Sequence, residues 1–180
     1  TAGLATTEYN IEEAERFVKC LEGYDVNILT GHTHNNFNVT DSEHLREHNI
    51  AAVCATWWWT GHTDYAGNHI CRDGSPGGYK IFEASGQQVS WYFKGIGKEA
   101  SYQFRTYDLN KCLLEKSRLC PSASNSDFTK YAYGYDQENN NNEVLINVFD
   151  WADDWKIEVT DLSDNSSLTT TRVRTHDPLH

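Results

Sequence analysis

The chain has 180 residues, among them 6 Trp, 10 Tyr and 7 Phe, and a formal net charge of −11 at pH 7. A chain of this length can bury a core, and its aromatic content excludes wholesale disorder. The acidic balance argues against a nucleic-acid backbone or an anionic membrane surface as a partner, because either would need a concentrated basic patch. No apolar run reaches the roughly 18 residues of a membrane-spanning helix, so no transmembrane segment is expected.

The first third of the chain predicts a helix followed by strands. Residues 10–24, NIEEAERFVKCLEGY, have the spacing of an amphipathic helix with Asn10 as its N-cap. DVNILT, residues 25–30, predicts a short buried strand, and FNVT, residues 37–40, predicts a returning strand. The apolar run NIAAVCATWWW, residues 49–59, fits either a strand or a buried segment.

After a loop rich in turn-forming residues, the periodicity becomes that of β-strands. YKIFEA and VSWYFKG, on either side of SGQQ, predict a hairpin. Further strands are predicted at 101–108, 143–150, 155–162 and 168–175. The fold class is therefore expected to be α+β and β-rich: a mixed α/β part over residues 1–98, then an all-β part over 101–180 whose short strands are typical of a β-sandwich.

A possible metal-binding motif lies in NILTGHTHNNFNVT, residues 27–40, where His32 and His34 follow Gly31. Histidines at i and i+2 do not share a helix face, but in a glycine-led turn they can diverge toward two neighbouring metal ions. Neutral imidazole binds Zn, Mn, Fe or Co, so the residue type does not select the metal. Two exposed histidines without metal are the alternative, although the position at a strand end favours a binding site.

The stretch VNILTGHTHNN resembles the last metal-binding motif of the calcineurin-like metallophosphoesterases. The pattern continues downstream through HNIAAVCATWWWTG, ICRDGSPGGYKIFEASGQQVSWYFKG, LINVFDWADDWKIEV and HDPLH. It is similar to a subgroup in which a β domain follows the catalytic domain, and it covers the chain from about residue 8. The resemblance implies an αββα catalytic sandwich with two divalent metal ions (Mn, Fe or Zn) that hydrolyses small phosphate esters.

By this resemblance, His32 would ligate one metal and His34 the other, and the metals would clamp a phosphoryl group and activate water. The family's other ligand motifs (Asp-x-His, GDxxD, GNH[DE] and a separate His) precede GHxH, and none stands before residue 31. The chain is therefore expected to be a fragment with too few ligands for a two-metal site of its own. It contains no Met, and it stops at RTHDPLH without a closing element, so both ends are expected to be cut. An extracytoplasmic location, periplasmic or secreted, is the favoured localisation, and the oligomeric state is left open.

Three residues are candidates for a substrate pocket: Asn35, Trp58 and Arg72. Asn35 directly follows the histidine motif. Trp58 belongs to a run of three tryptophans, residues 57–59, one of which could stack on a substrate ring; the alternative is packing in the core. The planar guanidinium of Arg72 could bind phosphate, against the alternative of an ion pair with Asp73 or Asp64.

The stretch TGHTDYAGNHI, residues 60–70, looks like an echo of the first motif. GNHI resembles GNH[DE], but it follows GHTH instead of preceding it, and Ile70 replaces the acidic residue. His62, Asp64 and His69 could bind a metal adventitiously, but a polar loop with exposed histidines is the preferred interpretation.

Three other patterns leave alternatives open. Cys112 and Cys120 could form a local disulfide in an exported protein, or remain free thiols. Asn38 begins a glycosylation sequon, which matters only in a eukaryotic secretory setting. Residues 150–155, DWADDW, are acidic but lack the spacing of a calcium loop and predict a solvated turn. The alternative function is that of a catalytically degenerate protein whose β domain binds carbohydrate or protein.

Overall fold

A computed structural model describes residues 12–58 and 69–180 of the chain, which form a sheet-rich α+β fold with few helices. The helices are α1 (Ala14–Cys20), α2 (Lys116–Leu119) and α3 (Asn125–Ala132), with a 3-10 helix at Leu109–Lys111. The strands are β1 (Val26–Thr30), β2 (Phe37–Ser42), β3 (Leu45–Asn49), β4 (Gly78–Ser85), β5 (Gln88–Gly95), β6 (Phe104–Asp108), β7 (Val144–Val148), β8 (Val159–Thr160) and β9 (Ser167–Leu168). Within these ranges, none of the helices has the length and apolar character needed to cross a bilayer.

The first sheet places β3 between β1 and β2. β3 runs parallel to β1, with Val26 opposite Leu45, and antiparallel to β2, with Phe37 opposite Asn49. The strands predicted at 25–30 and 37–40 are confirmed, but they do not pair with each other, and β1 is not buried, since Leu29 is 56 % exposed. β3 has the sequence LREHN, whose polar composition does not predict a strand.

Helix α1 is shorter than its periodicity predicts and has no buried residue. The predicted cap, Asn10, lies outside the described residues. Glu13 occupies the N-cap position, with a left-handed backbone (φ 57°) and no side-chain capping bond. Phe17 and Val18 on the apolar face remain 42 % and 38 % exposed, so none of the described residues covers that face.

The second half contains the predicted hairpin and a second strand pair. β4 and β5 are joined by a tight turn, with Ser85 opposite Gln88, and β6 pairs with β7. The expected all-β character is wrong, because α2 and α3 lie between β6 and β7. Ser124 is the N-cap of helix α3, and its hydroxyl accepts a hydrogen bond from the Asp127 backbone N–H. The strand-like periodicity around it hides this capping residue in the sequence. β8 and β9 are only two residues long, much shorter than predicted.

Aromatic packing connects the two halves of the chain. Phe93 of β5 and Phe149, just after β7, are 3 % and 0 % exposed, and their ring centroids are 5.9 Å apart. Trp91 stacks on Trp155 at 6.1 Å. These contacts give Trp91 and Trp155 a packing role. The boundary near residues 98–101 stays a prediction.

A buried polar network lies between the first sheet and the segment after β7. The ammonium of Lys80 lies 2.7 Å from Asp150, and both side chains are almost fully buried. The Asn38 amide N–H donates to Asp150 Oδ1 at 2.8 Å. Burial raises the pKa of Asp150 to about 6 and lowers the pKa of Lys80, because both charged forms lose hydration. The prediction of a solvated turn is therefore wrong at Asp150, and the sequon amide of Asn38 is engaged within the fold.

His48 extends this network, and its Nδ1 acts as a hydrogen-bond donor. Lys80 donates to Asn38 Oδ1 at 3.0 Å, which identifies that oxygen as an acceptor. His48 Nδ1 lies 2.7 Å from the same oxygen and therefore donates to it. His48 Nε2 lies 3.0 Å from Asn27 Oδ1, so a neutral ring requires the Asn27 amide to be turned with its nitrogen toward Nε2. Burial, followed by the charges of Lys80 and Arg46, lowers the pKa of His48 to about 4.

Candidate functional site

The turn that carries the two histidines follows β1, and the end of β3 holds it in place. The Thr30 carbonyl oxygen accepts a hydrogen bond from the backbone N–H of Ile50 at 2.9 Å. The Asn49 amide N–H donates to Thr30 Oγ1 at 3.0 Å, and the Asn49 amide oxygen accepts from Thr33 Oγ1 at 2.6 Å. Because β1 and β3 are parallel, both strands deliver these residues to the same sheet edge, as the sequence predicts for a binding site.

Unusual backbone conformations in this turn fall on the histidines themselves. His32 and His34 have φ values of 72° and 57°, in the left-handed region that residues other than glycine rarely adopt. Gly31 has no positive φ, and a Cβ on it would make only an ordinary contact with the Ile50 carbonyl oxygen at 3.9 Å. The expectation that Gly31 permits the turn is therefore wrong. Two strained residues in one short turn are typical of functional sites.

The side chain of His34 is oriented by the segment that follows β3. Its Nδ1–H donates to the Thr56 carbonyl oxygen at 3.0 Å, which leaves the lone pair on Nε2. Metal-bound histidines are commonly held this way, with one ring nitrogen donating to a carbonyl and the other facing the metal. His32 is exposed, and it lies at the start of the same turn.

The tryptophans next to this turn have opposite environments. Trp58 is 6 % exposed and donates its indole N–H to the His34 carbonyl oxygen at 3.0 Å. Trp57 is 74 % exposed, and its ring centroid lies 5.4 Å from that of His34. Trp58 therefore supports the turn from inside, and its pocket role stays a prediction. Trp59 lies outside the described residues.

Asn35 is used within the turn. Its amide N–H donates to the Thr33 carbonyl oxygen at 2.9 Å, and its backbone N–H donates to Thr33 Oγ1 at 3.3 Å. The next residue, Asn36, is buried, and its amide lies 3.5 Å from Asp73 Oδ2. The asparagines therefore shape the turn and connect it to the loop before β4.

Arg72 lies in that loop and is exposed. Its neighbour Cys71 is fully buried, with Sγ 3.9 Å from the His34 carbonyl oxygen. The predicted partner Asp73 instead accepts hydrogen bonds from the backbone and hydroxyl of Ser75 at 3.1 and 2.7 Å. Burial, and then the positive charge of Arg72, lower the pKa of His176, so the C-terminal segment lies near the same loop. A phosphate-binding role of Arg72 stays a prediction.

The C-terminal HDPLH segment is fixed by Asp177, a residue that sequence reasoning missed. Its carboxylate accepts hydrogen bonds from the Tyr107 hydroxyl and from the Asn147 amide, both at 2.6 Å. Gly74 fits against this pair: its φ is +82°, and a Cβ on it would stand 1.9 Å from the Asn147 amide nitrogen. The only sequence signal was a carboxylate in a segment that shares the family pattern.

The turn offers metal-ligand chemistry but not a complete metal site. In the described ranges, no three or more His, Cys, Asp or Glu residues are grouped so as to hold a metal ion. His32 and His34 are the right residue type, and the tautomer of His34 suits a ligand. In the apparent echo, His62 and Asp64 lie outside the described residues, and His69 is exposed, as expected.

Residues 47–180 match the family model described as the C terminal of calcineurin-like phosphoesterase. The match covers about three quarters of the chain, so the chain belongs to this family. Members are parts of hydrolases that act on phosphate esters. The two histidines precede the matched range. No curated protein and no solved structure gives a significant match.

Proposed function

We propose that the chain is the C-terminal part of a metal-dependent phosphoesterase acting on small phosphate esters, and that His32 and His34 each supply one ligand to a two-metal centre. The observation that carries this proposal is the state of His34, whose Nδ1–H is bound to the Thr56 carbonyl while Nε2 keeps its lone pair. The family match supports the reaction class, and the remaining metal ligands would come from residues outside this chain.

Two divalent ions, Mn, Fe or Zn, would polarise the phosphoryl group and lower the pKa of a water when bound. The chain's own residues would hold and orient the ligands. Trp58 fixes the backbone of His34 through the indole N–H, and Asn49 fixes the start of the turn through Thr30 and Thr33. Arg72 is exposed, and its guanidinium would bind a phosphate oxygen.

The finer fold follows from the same assignment. Residues 1–98 would be the C-terminal portion of an αββα catalytic sandwich, with β1, β2 and β3 as part of one of its sheets. Residues 101–180 would be the β domain that follows it. The parallel pairing of β1 and β3 supports this, because it places the histidine turn at the carboxyl end of a parallel strand pair.

The test is metal content together with turnover in the intact enzyme. His32→Ala and His34→Ala should each lower the bound metal by about one equivalent and reduce hydrolysis of p-nitrophenyl phosphate by at least about 100-fold. His44→Ala is the matched control, since His44 is exposed and paired with Asp25 at 2.5 Å at the turn before β3. Unchanged metal content and rate in both site variants would reject the ligand assignment.

The chain alone provides a complementary test. With added Mn²⁺ or Zn²⁺ it should show negligible hydrolysis, because the described residues contain no group of three or more metal ligands and a two-metal site needs more than His32 and His34. Turnover clearly above that of the His32→Ala, His34→Ala double variant would contradict the assignment of the missing ligands to other residues.

A second candidate function, carbohydrate binding by a catalytically degenerate protein, is favoured by a cavity of about 240 Å³ beside β6 and β7. The described residues that line it are all uncharged and include Tyr133, Tyr135, Gln137 and Asn139. Aromatic rings with amide groups suit a neutral polyol better than a phosphate. NMR titration with neutral monosaccharides should shift the Tyr135 and Asn139 signals, and Gln137→Ala should weaken the effect; no shift at saturating sugar would reject this function.

A further inference from the structure

Trp57 is held beside His34 by the residues on either side of it. The carbonyl oxygen of Thr56 accepts the His34 Nδ1–H, and the indole of Trp58 donates to the His34 carbonyl oxygen, each at 3.0 Å. Both neighbours of Trp57 are therefore bound to one histidine. The Trp57 ring is tilted by 35° to the His34 ring at a centroid distance of 5.4 Å, yet it is 74 % exposed.

The local backbone keeps this indole on the surface at an energetic cost. Ala55 and Trp57 have φ values of 56° and 69°, a conformation in which glycine or asparagine is far less strained. The backbone N–H of Trp58 donates to the Ala55 carbonyl oxygen at 3.1 Å, which closes a turn around the strained residues. Trp57 is also the one exposed tryptophan in the part of the chain that the structure describes. Neither packing nor backbone preference within the described fold explains an indole at this position.

We propose that Trp57 is a substrate-stacking residue and that the phosphate esters bound at this site carry a planar aromatic ring in their leaving group. This inference rests on the proposed function, because it places the substrate's phosphoryl group at His34. An indole presents a large, rigid π face on which a base or aryl ring can stack. A substrate whose leaving group has no aromatic ring would gain nothing from this surface.

The position of the Trp57 ring beside His34 suits selection between substrates by their leaving group. The Trp57 ring approaches the His34 ring without using any hydrogen-bonding atom of the imidazole, because Nδ1 is already bound to Thr56. The indole can therefore contact the leaving group while Nε2 remains available. Trp57 would act on binding of the leaving group and not on the reacting phosphorus, so its removal should raise KM more than it lowers kcat.

The kinetic test compares three substrates in the intact enzyme: adenosine 5′-monophosphate, phenyl phosphate and glycerol 2-phosphate. Trp57→Ala should lower kcat/KM for an aromatic substrate about tenfold, mainly through KM, and should change the value for glycerol 2-phosphate by less than about twofold. Trp57→Phe should restore most of the loss, because it keeps an aromatic face. Loss confined to the nucleotide would identify a nucleobase as the ring recognised, and loss confined to phenyl phosphate would identify an aryl group.

Two kinetic outcomes overturn the proposal. Equal losses on all three substrates would mean that Trp57 supports the site structurally. No loss on adenosine 5′-monophosphate and none on phenyl phosphate would mean that it does not contact the leaving group. Thermal unfolding of each variant shows whether the fold is intact, and the ratio of kcat/KM values between substrates is unaffected by a uniform loss of folded enzyme.

A binding measurement separates this proposal from the proposed function. In the chain itself, the indole N–H signal of Trp57, assigned with Trp57→Phe, should shift and saturate with adenosine but not with glycerol. Saturation without phosphoesterase activity in the intact protein would support the stacking surface and reject the reaction. Hydrolysis of aromatic esters with an unperturbed Trp57 signal would support the reaction and reject the stacking surface.

Discussion

The indole N–H of Trp58 donates a hydrogen bond to the backbone carbonyl oxygen of His34 at 3.0 Å. This bond joins the segment after β3 to the turn after β1, and it is made by a side chain that is 6 % exposed. The candidate metal ligand is therefore supported from inside the fold, and its own side chain is free to face outward through Nε2.

Trp58→Phe should lower the free energy of unfolding by about 1–2 kcal/mol, because the His34 carbonyl loses its partner while the ring volume is largely kept. Urea unfolding followed by circular dichroism measures the change. Trp57→Phe is the control, since its indole is 74 % exposed and its loss should change stability by less than about 0.5 kcal/mol. Equal effects of the two substitutions would contradict the supporting role of Trp58.

Gly74→Ala should be far more damaging than Gly86→Ala, although both glycines have positive φ, +82° and +63°. A Cβ on Gly74 would stand 1.9 Å from the Asn147 amide nitrogen and 2.5 Å from Asp177 Oδ2, whereas Gly86 has no atom within 4 Å. We expect a loss of about 3 kcal/mol or more at Gly74 and of about 1 kcal/mol at Gly86. Thermal unfolding of the two variants makes the comparison, and similar losses would show that the loop can move away from Asp177.

Lys80→Met should cost about 3–5 kcal/mol, because it leaves the carboxylate of Asp150 buried without its cation. Adding Asp150→Asn should recover a large part of the loss, since the remaining buried charge is then removed and asparagine tolerates the φ of 55° at this position. Denaturant unfolding of both single variants and the double variant gives the coupling energy.

An exposed ion pair is the control for this cycle. Asp153 and Arg172 lie 2.7 Å apart with half or more of each side chain exposed, so Asp153→Asn should change stability by less than about 1 kcal/mol. A small effect of Lys80→Met, comparable to that of the control, would mean that water reaches Asp150.

His48 should make stability depend on pH between 6.5 and about 4. Its pKa is lowered from 6.5 in the unfolded chain to about 4 in the fold. Over this window the unfolded state binds more protons than the folded state, so the contribution is fully present above pH 6.5 and falls by roughly 3 kcal/mol as the pH drops to 4. Asp150 has the opposite effect on stability as the pH falls. Its pKa is raised to about 6, so its carboxyl binds a proton in the folded state at a higher pH than in the unfolded state.

The difference between wild type and His48→Gln isolates the histidine contribution. Wild type should lose stability relative to the variant as the pH falls from 6.5 to 4, and ¹⁵N NMR should show a neutral Nδ1–H imidazole at pH 6. A constant difference across this window, or a protonated His48 at pH 6, would contradict the assignment.

Five thiols should react in the denatured chain, because the structure has all the cysteines free, including Cys112 and Cys120. Native alkylation should be fastest at Cys54, whose exposed thiol has a pKa lowered by the hydrogen bond with Thr56. Cys71 should be slowest, since burial raises the pKa of its thiol. Mass spectrometry of partially alkylated protein gives the order, and a count of three thiols in the denatured, unreduced chain would restore the local disulfide.

Local patterns predicted those elements whose signal is contained in a few consecutive residues. The β4–β5 hairpin follows from alternating apolar residues around a glycine turn, and the strand before the histidines follows from an apolar run. The same reasoning missed β3, because its residues Arg46, Glu47 and His48 interact with partners on other segments of the chain. It also missed Asp177, whose partners lie 70 and 30 residues away along the chain.

By itself, the sequence determined the family, the sheet-rich class and the candidate ligands His32 and His34, because these depend on residue type and order along a short stretch. Only the tertiary structure decided which ring nitrogen of His34 remains available, which tryptophan is buried and which is exposed beside it, and that Asp150 is buried against Lys80. The physical reason is that burial and hydrogen bonding are set by residues distant in sequence, and the same side chain supports the site or faces a ligand according to what packs against it.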